Sequence, residues 1–327
     1  MSYEAVKRVF EEAGFQPREG QLEAAERIAS LLPGEVALAA PTGWGKTITV
    51  LAALKARNLF PATWLTPLLA ISSDARGERV GQDARKLGID CYAFAGRGEM
   101  CPLAPRYGEA VHHYCKLRKS RCPYFTNLLR AGSPPLPIWR WREVREWGLS
   151  KGVCPYYAQF ALAQDTDLVI AHYNASRSIM SGVLVVDEAH RFLAPRERRI
   201  KASKLKEAAS ALRAINAELA EQLENLAEGL KPSADLITVD LTIDEALNLP
   251  DAREVLSVLN FAREVIAADA PLHYEDGYVY AYLPPRVPRG RLATVYLSGT
   301  LPDAAEKVLN APVIRAVSYT HLTLPTS

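Results

Sequence analysis

Glu35-Val36-Ala37-Leu38-Ala39-Ala40 is an apolar run of the length of one buried strand, and it leads directly into Pro41-Thr42-Gly43-Trp44-Gly45-Lys46-Thr47. The following Ile48-Thr49-Val50-Leu51-Ala52-Ala53-Leu54 predicts a helix opened by Lys46. A strand apolar along its whole length must be covered on both faces, so this order commits the chain to a parallel α/β layer. Gly43 and Gly45 let backbone amides converge on an anion with no Cβ in the way. Such a loop fits the β-phosphate of a nucleotide, with Lys46 on the β and γ oxygens and the Thr47 hydroxyl on Mg²⁺. The expected contact set for ATP is therefore Thr42, Gly43, Trp44, Gly45, Lys46 and Thr47. Ala40 stands where the strict motif has glycine, and a lone Gly-x-Gly-Lys-Thr could equally be an incidental helix N-terminus.

A second motif removes much of that ambiguity. Val183-Leu184-Val185-Val186 predicts another buried parallel strand, and Asp187-Glu188-Ala189-His190 leaves its carboxyl end. Ligands of open α/β sheets bind at that end. Asp187 is expected to hold Mg²⁺ through water, and Glu188 to orient or deprotonate an attacking water. His190 is expected to couple the nucleotide state to other contacts rather than to perform chemistry. Upstream, Arg18 and Gln21 precede an amphipathic helix and are candidates for reading adenine. Ala293-Thr294-Val295-Tyr296-Leu297 predicts a further strand ending in Ser298-Gly299-Thr300, whose hydroxyls suit a hydrogen-bonded link to the ATP site.

Between the two motifs lie Cys101, Cys115, Cys122 and Cys154, separated by 13, 6 and 31 residues. The chain has 49% hydrophobic and 23% charged residues, no apolar run near the roughly 20 residues of a membrane span, and no signal-peptide pattern. In the cytoplasmic setting this suggests, clustered cysteines read as metal ligands or free thiols rather than disulfides. The spacings lack the paired Cys-x-x-Cys knuckles of a zinc ribbon, although four thiolates alone do not exclude zinc. From Cys101 to Cys154 ten Lys or Arg stand against three carboxylates, a local charge of +7 where the whole chain carries +2. Tyr107, Tyr114, Tyr124, Phe125, Trp139, Trp141 and Trp147 share the segment. Cations with interleaved aromatics suit a single-stranded DNA surface, and a small domain using its aromatics as its own core is the plainer alternative.

These motifs, in order along the chain, resemble the XPD-type (Rad3-like) superfamily 2 DNA helicases. The resemblance runs from about Tyr3 to Leu301. It rests on Arg18-x-x-Gln21, the Ala40–Thr47 loop, Thr66-Pro67 and Gly96-Arg97-Gly98-Glu99-Met100-Cys101. It continues through Cys154-Pro155-Tyr156-Tyr157, Ala171-His172-Tyr173-Asn174, Asp187-Glu188-Ala189-His190 and Ser298-Gly299-Thr300-Leu301. It implies ATP-driven movement 5′ to 3′ on DNA and a [4Fe-4S] cluster on Cys101, Cys115, Cys122 and Cys154. The Cys115–Cys122 gap is longer than the family's, which makes His112 or His113 a candidate substitute for Cys115. It further implies a role in DNA repair, single-stranded and forked DNA as partners, a monomer, and a nucleoid-associated location in the cytoplasm. A DinG or FANCJ-like iron–sulfur helicase is one rival, and a non-motor DNA-binding redox or scaffold module is another.

After the acidic motif, Leu212, Ile215, Leu219, Leu223, Leu226 and Leu230 recur at spacings of 3, 4, 4, 3 and 4, which predicts one long amphipathic helix. Another is expected over Asp251–Ala268. The expected fold is α/β, a doubly wound RecA-like P-loop lobe from residues 1–95, 155–190 and 285–316. It carries an iron–sulfur insertion over 96–154 and a helical, arch-like insertion over 191–284. Residues 317–327 read as a translated sequencing adapter and are expected to be non-native. Enzymes of this superfamily close the ATP site with a second RecA-like lobe, expected here as a missing partner, so this chain alone is not expected to unwind DNA.

Overall fold

A computed structural model describes residues 3–67, 76–132, 134, 141–173 and 182–316. The expected non-native tail therefore lies outside the described residues, as do Trp139, Arg140 and Asn174. Seven strands form one sheet: β1 (Glu35–Ala39), β2 (Ala62–Thr66), β3 (Cys91–Phe94), β4 (Leu168–His172), β5 (Val183–Val186), β9 (Ala293–Ser298) and β10 (Val313–Arg315). Their spatial order is β10-β1-β9-β5-β2-β4-β3. Every pairing among them is parallel. Alternation along each strand feeds two cores. Val36, Leu38, Val183, Val185, Val295 and Leu297 face one layer, with Phe10, Ile28, Leu51 and Trp64. Ala37, Ala39, Leu184, Val186 and Tyr296 face the other, with Phe94, Met100, Tyr156 and Leu162. Both faces are dry, as a parallel sheet needs and as the unbroken apolar runs predict.

The insertion after β5 departs from expectation. Its long helix is two helices, Ala202–Leu212 and Ala217–Ala227. Asn216 breaks the run. It sits in extended geometry, and its side-chain oxygen accepts from the Leu219 amide at 3.0 Å, capping the second helix. An Asn that bonds its own backbone competes with helix continuation. The leucine spacing persists across the break because Leu212, Leu219, Leu223 and Leu226 all bury into one shared core. The helix expected over Asp251–Ala268 is present as Ala252–Ala268.

The segment is also less purely helical than expected. Beside a helix over Leu236–Ala246 it holds β6 (Arg196–Lys201), β7 (Leu272–Glu275) and β8 (Tyr278–Leu283), an antiparallel sheet in the order β6-β8-β7. Asp276 and Gly277, both at positive φ (49° and 77°), join β7 to β8. That pairing is the hairpin turn whose twist matches its strands. Among the described residues, no helix is long and apolar enough to cross a membrane.

The Asn216 side chain also donates to Thr242 Oγ1 at 3.0 Å, so it joins three helices. Asn216→Ala should cost about 1–2 kcal/mol, seen as an earlier urea transition of this insertion, whereas Asn216→Asp should keep the cap and lose less. Equal stability of the two variants would contradict the capping role.

Candidate nucleotide site and cysteine pocket

β9 lies between β1 and β5, so the parallel register brings three carboxyl ends side by side. The Pro41–Thr47 loop follows β1, Asp187 and Glu188 follow β5, and Ser298-Gly299-Thr300 follows β9. Lys46 Nζ donates to the carbonyls of Ala40 at 2.8 Å and Pro41 at 3.1 Å, which poises the ammonium over the mouth of its own loop. Gly45 has φ of 101° and no room for a side chain, because a Cβ there would lie 2.1 Å from Gln21 Nε2. Gly299 approaches from β9, where a Cβ would lie 3.7 Å from Thr42 Oγ1.

The acidic motif is linked to the same edge by short contacts. The Asp187 amide donates to the Leu65 carbonyl at 2.9 Å, and the Glu188 amide to Asp187 Oδ1 at 3.0 Å. Glu188 holds φ of 51°, the left-handed region that a non-glycine residue occupies only under tertiary constraint. His190 Nδ1 lies 2.8 Å from Ser298 Oγ and 3.4 Å from Glu188 Oε2, while the Thr300 amide donates to Ser298 Oγ at 3.1 Å. Ser298 is fully buried. The Tyr173 hydroxyl donates to the Asp187 carbonyl, and its ring meets Phe192 edge-on at 4.6 Å. Tyr173 was read only as part of a motif; its role in propping Asp187 has no signature in spacing.

Arg18 and Gln21 lie at this site but face the loop. Gln21 is 1% exposed. Its oxygen accepts from the Arg18 amide at 2.7 Å and its nitrogen donates to the Trp44 carbonyl at 2.7 Å. Arg18 Nη1 donates to the Gly43 carbonyl at 2.5 Å. Both residues thus brace the phosphate loop from behind.

The cysteines converge from four elements. Cys101 follows the short helix Arg97–Met100, Cys115 lies in Val111–Arg118, and Cys122 and Cys154 each precede a helix opened by proline, Pro123–Ala131 and Pro155–Gln164. The Cys154 amide donates to the Tyr124 carbonyl at 2.8 Å, holding the last two together. Burial pushes the Cys154 thiol up to about 12. The Tyr157 amide aimed at its sulfur opposes that shift, and the thiols of Cys101, Cys115 and Cys122 add to it. Burial likewise raises Cys101, against amide hydrogen bonds from Leu103 and Ala104, with Cys115 and Cys122 again adding to the rise. The four thiols therefore sense one another. Among the described residues, however, no group of three or more Cys, His, Asp or Glu side chains is placed to hold a metal ion.

His113 does not stand in for Cys115. It is buried, its Nε2 lies 3.0 Å from Asn260 Oδ1 on the helix Ala252–Ala268, and it faces the second insertion. Cys115 instead lies 3.7 Å from the Tyr157 hydroxyl. Cys91, on β3, packs in one core of the seven-stranded sheet with its sulfur 3.7 Å from the Gly81 carbonyl.

The aromatics of the basic segment divide between two roles. Tyr107 and Trp141 are buried in cores, whereas Tyr124, Phe125 and Trp147 are half-buried. Lys119 stands over the rings of Phe125 at 4.9 Å and Tyr157 at 5.1 Å, beside the thiols. Part of the cationic charge is spent internally, with Lys116 3.8 Å from Asp240 and Arg118 3.1 Å from Asp244.

The DEAD_2 family model matches residues 82–205, a stretch that holds all five cysteines, the four converging ones among them, and the acidic motif. A solved XPD helicase superposes with a TM-score of 0.63 at 16% identity, covering 92% of this chain and 62% of that one. A truncated XPD gives 0.58 at 18% identity, covering 92% of this chain and 100% of its own. XPD4 from S. tokodaii gives 0.51 at 14% identity, over 91% and 61%. This chain has the XPD helicase fold. It spans about 62% of the XPD helicase chain it matches, and its seven-stranded parallel sheet matches a lobe of that fold.

In this XPD-like lobe, removing the Gln21 side chain leaves the Trp44 carbonyl and the Arg18 amide without their partners. Gln21→Ala should cost about 1–3 kcal/mol in a urea melt, and Gln21→Glu should do no better, since a carboxylate cannot donate to Trp44. Full stability of Gln21→Glu would contradict the bracing role.

Proposed function

We propose that this chain is the ATP-binding first lobe of a DNA helicase of the XPD type, moving 5′ to 3′, with a [4Fe-4S] domain beside its DNA path. The observation that carries the reading is the meeting of the phosphate loop, the Asp187-Glu188 pair and Ser298 at three adjacent strand ends. Lys46 would neutralise nucleotide phosphate oxygens, Thr47 and Asp187 would hold Mg²⁺, and Glu188 would orient the attacking water. Thr42, Gly43, Trp44 and Gly45 would contribute loop contacts. Arg18 and Gln21, which brace the loop, would also read the adenine of the nucleotide. The His190–Ser298–Thr300 chain gives the acidic motif a route to the neighbouring strand end. A bound Mg²⁺ would screen the phosphate charge.

The donor chemistry supports a cluster. Four thiols lie within electrostatic reach of one another, two at helix N-termini and two receiving backbone amides that oppose the rise caused by burial, so the donor set is one of sulfur ligands that a bound cation would deprotonate. A single tetrahedral ion would need its sulfurs within about 4 Å of one another, from metal–sulfur bonds of about 2.3 Å. A four-iron cube spreads its ligands more widely. Cys101, Cys115, Cys122 and Cys154 would hold the cluster, whose contribution is to tie these helices together. Single-stranded and forked DNA are the proposed partners, in a cytoplasmic, nucleoid-associated, monomeric protein that serves DNA repair. We divide the chain into the motor lobe (1–95, 155–190, 285–316), the cluster domain (96–154) and the arch-like domain (191–284). Hydrolysis and unwinding are proposed to need a second RecA-like lobe closing over this one.

Two measurements test this reading. Anaerobically purified protein should contain about four irons and four acid-labile sulfides per chain, lost in Cys154→Ser; zinc, or no metal, would contradict the cluster. Lys46→Ala should weaken Mg·ATP binding by about a hundredfold while leaving DNA affinity intact. Nucleotide binding indifferent to Lys46 would favour a non-motor DNA-binding module.

A further inference from the structure

The sheet β6-β8-β7 carries a surface that neither the ATP site nor the cysteine pocket uses. On β8, Val279, Ala281 and Leu283 bury against the helices, so the period of two turns Tyr278, Tyr280 and Tyr282 to the opposite face. Register puts Lys201 opposite Tyr278, Arg199 opposite Tyr280 and Glu197 opposite Tyr282. Cross-strand partners share a face, so cations and rings line up together. On the other flank His273 stands opposite Tyr280, and Glu275 opposite Tyr278. The Arg199 guanidinium lies 5.4 Å and the Lys201 ammonium 5.9 Å from the Tyr278 ring centroid. β6 is an edge strand, and a cleft of about 630 Å³ opens there against the helix Ala252–Ala268. Its lining includes Arg198, Arg199, Lys201, Lys204 and Arg253 against Glu254, with Arg198 also paired to Glu264 at 3.1 Å.

A solvent-facing sheet surface needs no row of rings, and a row flanked by cations has a defined complement. Tyr278 and Tyr280 have ring centroids 6.3 Å apart. Their planes are tilted by 49°, so the two rings are separate platforms, each with its own face for an unpaired base, and not one parallel slot. We propose that this face binds single-stranded nucleic acid, with unpaired bases on Tyr278, Tyr280 and Tyr282 and phosphates along the cationic β6 edge. Glu197 and Glu275 sit at opposite ends of the tyrosine row and bound the track. Duplex DNA hides its base faces, and an acidic peptide offers no regular series of aromatic faces to stack on the rings. The inference deepens the helicase reading by naming a DNA contact outside the motor lobe, and it rests on that reading only for the kind of strand within reach.

The test uses the whole 327-residue chain and fluorescein-labelled oligo-dT in anisotropy titrations at several salt concentrations, with 5-iododeoxyuridine photocrosslinking to map contacts. Circular dichroism checks folding, and Mg·ATP binding is measured in parallel. Tyr278→Ala with Tyr280→Ala should weaken binding about tenfold or more, and the two Tyr→Phe changes should preserve it. Arg199→Ala with Lys201→Ala should lower the slope of log affinity against log salt by about 1.4. Crosslinks should fall within residues 278–283. Parent-like binding by both pairs, with crosslinks confined to 101–154, would overturn the proposal. So would duplex binding as tight as oligo-dT with no effect of the tyrosine pair, which would mark a plain polyanion surface. Failure of Mg·ATP to bind would sink the ATPase reading and leave the oligonucleotide result to decide this one.

Discussion

The parallel pairing of β9 between β1 and β5 is the constraint on which the rest depends. In an antiparallel arrangement the three motif-bearing loops would emerge from opposite edges of the sheet. Here they emerge together, so residues as far apart along the chain as Lys46 and Ser298 share one edge. The same rule governs the insertions. The cysteine-bearing segment leaves the carboxyl end of β3, and the second insertion leaves that of β5 and returns at the start of β9. Both therefore begin on the edge that carries the candidate nucleotide site while the two sheet faces stay buried.

The insertions are also built against each other. Tyr107, Ala110 and Val111, from the cysteine segment, belong to the core of the second insertion. His113 meets Asn260, and Lys116 and Arg118 meet Asp240 and Asp244. The exposed ion pairs contribute little on their own, and the buried apolar residues carry the attachment. One consequence is a helix with two faces. Val111–Arg118 directs Cys115 toward the thiols and His113 toward the second insertion, so a change in the cysteine pocket acts on a surface shared with its neighbour.

Much of this was legible in the amino-acid sequence. Strands buried on both faces announce themselves as unbroken apolar runs, so β1, β5 and β9 could be placed with their loops. The second insertion was harder. The leucine spacing over Leu212–Leu230 is blind to a break that conserves the buried face, and only Asn216, a capping residue, marks it. The missed β7–β8 hairpin did have a signal, Asp276-Gly277 between alternating residues, and β6 hid because Arg196–Lys201 has charged side chains on both sides of an edge strand. In the sequence, Gln21 stands out only as a candidate for reading adenine, placed with Arg18 just before an amphipathic helix. Its role as a brace depends on burial beside Trp44, which no local pattern encodes.

The central claim is that three distant segments form one nucleotide site. Hydrogen–deuterium exchange with and without Mg·ATP tests it directly. The account predicts slowed exchange at residues 40–47, 186–190 and 298–300 together, abolished by Lys46→Ala. Protection of the phosphate loop alone, or none at these three segments, would contradict it.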